Sequence, residues 1–166
     1  IIGRLAYDAV LVPMDDDTVI WAPCFYGGLL KSDDWMESWS NVFMDSSDTT
    51  IDFDDYSHRF FSFTADTSKS PPVLWAGTAS GVYRSQDGGI VWEEFDKADG
   101  LTGNWIVALN ISYTDSGSIL WASTRKALGE DEYDGVSYKW EGDTIWHHLN
   151  DTLIVWNFGF CEDYFL

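Results

Sequence analysis

Three short segments of this chain are nearly the same: VIWAPC around Trp21, VLWAGT around Trp75 and ILWAST around Trp121. They stand 54 and 46 residues apart. Repetition at such a period constrains the fold more than any single motif, because every copy has to form the same supersecondary unit. Each segment is short and almost entirely apolar, which suits a strand covered on both faces of its sheet.

Two further landmarks keep step with the Trp strands. GLLKSDDWMESW (Gly28 to Trp39) aligns without gaps on GVYRSQDGGIVW (Gly81 to Trp92), and more loosely on GVSYKWEGDTIW (Gly135 to Trp146). Ahead of the Trp strands lie LAYDAVLVPMDDDT, HRFFSFTADTSKSPP and WIVALNISYTDSG, and LIVWNFGFCEDY occupies the same place near the end. Each unit therefore reads as four short strands joined by polar turns, with no stretch of helical periodicity long enough to matter. The units run over about residues 1–55, 56–100 and 101–150, with 151–166 starting another.

Four-stranded units of this length are the sequence form of propeller blades. The expected fold is all-β: about three consecutive blades of four antiparallel strands. A closed propeller has about four to eight blades, and an incomplete ring exposes the edge of its apolar interior. The chain is therefore read as part of a larger propeller, in preference to one that completes its ring with other copies of itself.

The pattern Ser85-x-Asp87-x-Gly89-x-x-Trp92 resembles the Asp-box, or BNR repeat, of sialidases, sortilin-type receptors, xyloglucanases and photosystem assembly factors. The stretch ADGLTGNWIVALN…GSILWAST is also similar to the propeller repeats of two-component-regulator-type sensors. The first copy keeps Ser32, Asp34, Ser38 and Trp39 but has Met36 in place of Gly. The third keeps Trp146 but has Lys139, Glu141 and Asp143 instead of Ser, Asp and Gly. The resemblance implies a structural role on a blade's outer hairpin. The residue types agree: short Ser and Asp side chains accept backbone N–H bonds in a tight turn, and Gly supplies a positive φ. Trp92 then adds buried area with its indole N–H satisfied.

Nine basic against 28 acidic residues give a net charge of −19. Such a surface repels phosphate backbones and anionic membranes, so nucleic-acid binding and membrane insertion are not expected. No apolar run has the length of a membrane span, and the opening residues do not read as a signal peptide. The acidic clusters MDDDT, DSSDTTIDFDD and GEDEYDG read as solvated loops; calcium is the alternative, but none has the EF-hand spacing. No cofactor is expected. By repeat alignment Cys24 and Cys161 fall in separate units, which argues against a bond between them.

Trp21, Trp39, Trp75, Trp92, Trp121 and Trp146 occupy repeat positions and are expected in the core; Trp156, aligned with Leu109, joins them. Trp35, Trp105 and Trp140 fall outside the repeat and are the candidates for stacking a sugar ring. Catalysis is poorly supplied. The resemblance to sialidases implies an arginine triad and a tyrosine–glutamate pair, yet the arginines are only Arg4, Arg59, Arg84 and Arg125, and Arg84 aligns with Lys31 as a repeat feature. His147 and His148 are adjacent on an expected strand and so point to opposite faces. The preferred function is a non-catalytic module of a secreted or cell-surface, bacterial protein, acting as scaffold or as a surface for a glycan or protein ligand. The alternatives are part of a glycan-active hydrolase whose acids lie mostly elsewhere, and a periplasmic sensor.

Overall fold

The computed structural model describes residues 5–14, 17–127 and 131–160. It is all-β, with three four-stranded antiparallel sheets, each built from four consecutive strands in chain order. The first sheet holds β1 (Val10–Met14), β2 (Asp17–Cys24), β3 (Gly28–Ser32) and β4 (Ser40–Val42). The second holds β5 (Phe60–Asp66), β6 (Val73–Thr78), β7 (Val82–Ser85) and β8 (Glu93–Phe95). The third holds β9 (Ile106–Thr114), β10 (Gly117–Thr124), β11 (Gly135–Trp140) and β12 (His147–Asn150). The three Trp segments are β2, β6 and β10, each flanked by a partner on either side.

The sheets stack face to face with the second in the middle. Val12, Trp21 and Leu29 of the first sheet meet Phe63, Leu74 and Ala76 of the second. Trp75, Val82 and Phe95 of the second meet Leu109, Leu120 and Ala122 of the third. Strand alternation on β6 produces this split, sending Leu74 and Ala76 one way and Trp75 the other. Trp21 and Trp75 are both almost fully buried. Each removes on the order of 200 Å² from water, or about 5 kcal/mol before entropic costs.

One cross-strand pair recurs. Trp21 lies opposite Lys31 with Nζ 5.9 Å from the ring centre. Trp75 lies opposite Arg84 with Cζ at 5.6 Å. Trp121 lies opposite Tyr138 with ring centres 5.5 Å apart. In the first two sheets the pair points at the next sheet in the chain. In the third, Leu120 and Ala122 face the second sheet, so Trp121 points to the opposite, outer face.

Residues 151–160 cross that outer face without forming a strand. The Val155 N–H donates to Ser123 Oγ (2.8 Å), Asn110 Nδ2 donates to the Phe158 carbonyl (2.7 Å), and Phe160 lies 5.9 Å from Trp121. Here two expectations fail. Trp156 is not core but 65% exposed, because no neighbouring strand pairs with its segment and sets an inward face. Trp39 is 36% exposed: it ends the β3–β4 hairpin just before β4 at the sheet margin, where nothing covers it completely. Trp92 and Trp121 are partly buried, and Trp146 is buried. Cys161, and with it the question of a bond to Cys24, lies outside the described residues.

Candidate functional site

The three hairpins that follow the Gly-led strands show how this molecule positions its loops. After β7, Ser85 Oγ donates to Asp87 Oδ1 (2.7 Å) and accepts the Gly89 N–H (2.9 Å). Asp87 Oδ1 also accepts the Ile90 and Val91 N–H groups, each at 3.0 Å. Trp92 Nε1 donates to the Gly89 carbonyl at 3.2 Å. After β3 the same offsets recur: Ser32 Oγ donates to Asp34 (2.8 Å) and accepts the Met36 N–H (2.9 Å), while Asp34 accepts from the Ser38 N–H (2.9 Å) and hydroxyl (2.6 Å). These bonds hold both carboxyls below their ordinary range, through the Val91 N–H first for Asp87 and the Ser38 hydroxyl first for Asp34. A carboxylate that accepts several hydrogen bonds stays ionised. It ties a turn and has no proton to give.

The hairpin after β11 is held differently. Lys139 Nζ donates to the Asp143 carbonyl, and Asp143 Oδ2 meets His147 Nε2 at 2.8 Å. Beside it a cleft of about 680 Å³ opens between the second and third sheets, bounded by Asp66, Trp75, Arg84, Lys139 and Glu141. Its charges are largely matched: Lys69 pairs with Glu141 and Arg84 with Glu93. Burial raises the Asp66 carboxyl, but bonds from Ser68 and Ser118 outweigh it and the net shift is downward. Glu141 is lowered by its bond to Lys69 and then by the Ser118 N–H. Burial, followed by the Arg84 charge, lowers Lys139.

A second region lies at the other end of the sheets, where the connections into β5 and β9 pass the β2–β3 turn. Arg59 is sandwiched there, its Cζ 4.1 Å from the Phe53 ring centre and 4.4 Å from that of Tyr56. Its Nε donates to the Phe53 carbonyl at 2.7 Å. Phe25 lies 5.2 Å from Phe53, Tyr26 stacks on Phe53 at 4.4 Å, and Phe61 sits 5.2 Å from Trp105. The backbone fixes this layer: the Tyr7 N–H donates to the Pro23 carbonyl and the Arg125 N–H to the Trp105 carbonyl. A cavity of about 390 Å³ opens against it, bounded by Tyr7, Asp8, Phe25, Phe61, Trp105 and Arg125.

The three candidate stacking tryptophans do not converge. Trp105 belongs to the aromatic layer, while Trp140 pairs with Ile119 at the opposite end of the third sheet, about 17 Å away along the strand. Trp35 is 61% exposed in the β3–β4 hairpin of the first sheet, two sheets away. Of the aromatics that do gather around Trp105, Phe61 lies on β5, while Tyr7, Phe25, Phe53 and Tyr56 lie in connections, where repeat alignment gives no signal. The available signal was aromatic density, in FYGG and DFDDYSHRFF.

The acidic connection before β5 spends its carboxylates on turns. Asp45 accepts the Ser47 N–H, Asp55 accepts the Ser57 N–H, and Asp48 meets His58 Nε2 at 3.1 Å. Among the described residues no group of three or more His, Cys, Asp or Glu is arranged to hold a metal ion. Against known proteins, no family model matches this chain and no curated protein aligns with it.

Proposed function

We propose that the chain is a non-catalytic β-propeller module, three successive blades of a ring, which serves as a scaffold and binding surface. One observation carries the reading. The Trp and its cross-strand partner point at the following sheet in the first two repeats, and the third pair points at an outer face. A linear sandwich would turn its last sheet inward; a ring keeps every sheet in the same orientation. The Trp121 face is then where the ring continues, through further blades or through another copy. The tied hairpins are the blade margins, in keeping with the Asp-box resemblance, which also implies a secreted or cell-surface setting.

A binding role suits the chemistry better than a hydrolytic one. Glycoside hydrolysis needs one carboxyl held protonated beside one held ionised, and Asp66 and Glu141, which border the larger cleft, are both pulled toward the ionised form. The test pairs two measurements on native material. Electron microscopy of the native protein is expected to show a closed ring, and incubation with plant and animal polysaccharides is expected to release no reducing sugar. An open stack would end the propeller reading. Sugar release abolished by substituting Asp66 or Glu141 would replace the binding role with a hydrolytic one.

A further inference from the structure

We infer that the cavity at the Trp105 end of the stack is a glycan site that takes a neutral pyranose unit, a reading that rests on the binding role proposed above. Its volume of about 390 Å³ lies within the range of small-molecule sites, about 300–1,000 Å³. Its walls are flat aromatic faces that are only partly covered: Tyr7 is half exposed, and Phe25, Phe61 and Trp105 are half-buried. A pyranose presents C–H bonds of partial positive charge, which match the negative face of an aromatic ring. Trp156 extends this surface from the 151–160 segment, where the neighbouring Val155 N–H is anchored to Ser123.

The polar groups at the rim suit hydroxyls. Asp8 accepts the Ala9 N–H through Oδ1 (2.8 Å), which leaves Oδ2 to accept from a ligand. Arg125 borders the cavity and takes part in no ion pair among the described residues, so its guanidinium donors are available. Asn157 adds an amide able both to donate and to accept. A chain of net charge −19 disfavours acidic sugars at long range, which points to neutral ones. The aromatic layer is braced before any ligand arrives, so little ordering cost remains at binding.

The test titrates the protein with neutral cello-, xylo-, manno- and malto-oligosaccharides, following tryptophan emission and heat of binding. At least one series should bind, with Trp156→Ala and Arg125→Ala each weakening it about tenfold. Both residues are exposed, so these variants keep the fold, and they decide the matter if Trp105→Ala does not fold. Trp35→Ala and Trp140→Ala, at the far ends of the sheets, should leave affinity unchanged. No binding by the wild type at millimolar sugar overturns the assignment, as does affinity that survives both Trp156→Ala and Arg125→Ala, or that is lost on Trp35→Ala or Trp140→Ala. A closed ring seen by microscopy together with no sugar binding would remove this site and leave the propeller reading standing.

Discussion

The second and third hairpins share their spacing and differ in what they do to the sheet they overhang. The hairpin after β7 closes onto the first sheet: a Cβ built on Gly89 would lie 2.7 Å from Trp21 Cη2, and the Trp92 ring meets Trp21 edge-on at 6.4 Å. The hairpin after β11 stands clear. A Cβ on Gly142, the aligned neighbour of that site, would meet nothing within 4 Å, and the 680 Å³ cleft beside Trp75 opens there. The difference follows from residue size. Ser85 and Asp87 draw the backbone into a tight knot that brings Gly89 down on the indole, whereas Lys139 reaches across to the Asp143 carbonyl and holds its loop at arm's length. Equal spacing in sequence therefore yields one sealed interface and one open one.

Glycine substitution should expose this contrast most strongly. Gly89→Ala forces a side chain at φ 89° against a buried indole, and strain plus overpacking should cost about 3 kcal/mol. Gly142→Ala at φ 88° has open space, so only the left-handed penalty of about 1 kcal/mol applies. Urea unfolding of the two variants measures both values. Equal losses would show that the Gly89–Trp21 approach does not matter.

Next in size is the tie itself. Ser85 is 1% exposed, and Ser85→Ala leaves the Gly89 N–H without its acceptor, at about 2 kcal/mol. Lys139→Met keeps the length of the chain while removing a buried charge crowded by Arg84, and should stay within about 0.5 kcal/mol of wild type. A Lys139→Met loss as large as that of Ser85→Ala would mean the two ties are equivalent after all.

How far the sequence exposed this architecture can be judged from particular residues. Trp21, Trp75 and Trp121 marked the central strands because a strand buried on two faces has little freedom in composition. The Gly-to-Trp spacing marked the hairpins because backbone N–H groups in a turn must find acceptors at fixed offsets. Trp39 and Trp156 depart from the repeat pattern for one shared reason: alignment assigns a position, while burial depends on what lies across from it. Trp39 has the sheet margin beside it, and Trp156 rides on a segment without a strand partner. The cavity around Trp105 was legible only in part, since residues of the repeated strands β5 and β9 share its walls with Tyr7, Phe25 and Trp105, which come from connections of unequal length that a repeat cannot encode.

The first hairpin sharpens the comparison in the opposite direction. It makes the same Ser–Asp bonds as the second with Trp35 and Met36 at φ 57° and 73°, where the second has two glycines. Side chains there carry backbone strain. Because Met36 is 57% exposed, little packing is lost on its removal, and Met36→Gly should stabilise the protein by about 0.5 kcal/mol after the entropic cost of glycine. Met36→Ala, which keeps the strain, should give no such gain. A gain from both variants would trace the effect to the exposed side chain instead of the backbone.

The smallest effect is electrostatic, and it belongs to the aspartates that tie the first two hairpins. Asp34 and Asp87 both titrate below their ordinary value of 3.8. The unfolded chain then takes up protons first as acid is added. Their contribution is therefore complete above the unfolded value and is lost as pH falls through the folded ones. Between about pH 5 and about pH 2.5 the urea midpoint should fall less steeply for an Asp34→Asn/Asp87→Asn double variant than for wild type. The neutral amides still accept the turn N–H groups, so the fold of both hairpins is kept and only the titration is removed. Superimposable acid limbs would mean that the N–H bonds hold equally well to a protonated carboxyl, and that the ties owe their strength to geometry rather than charge.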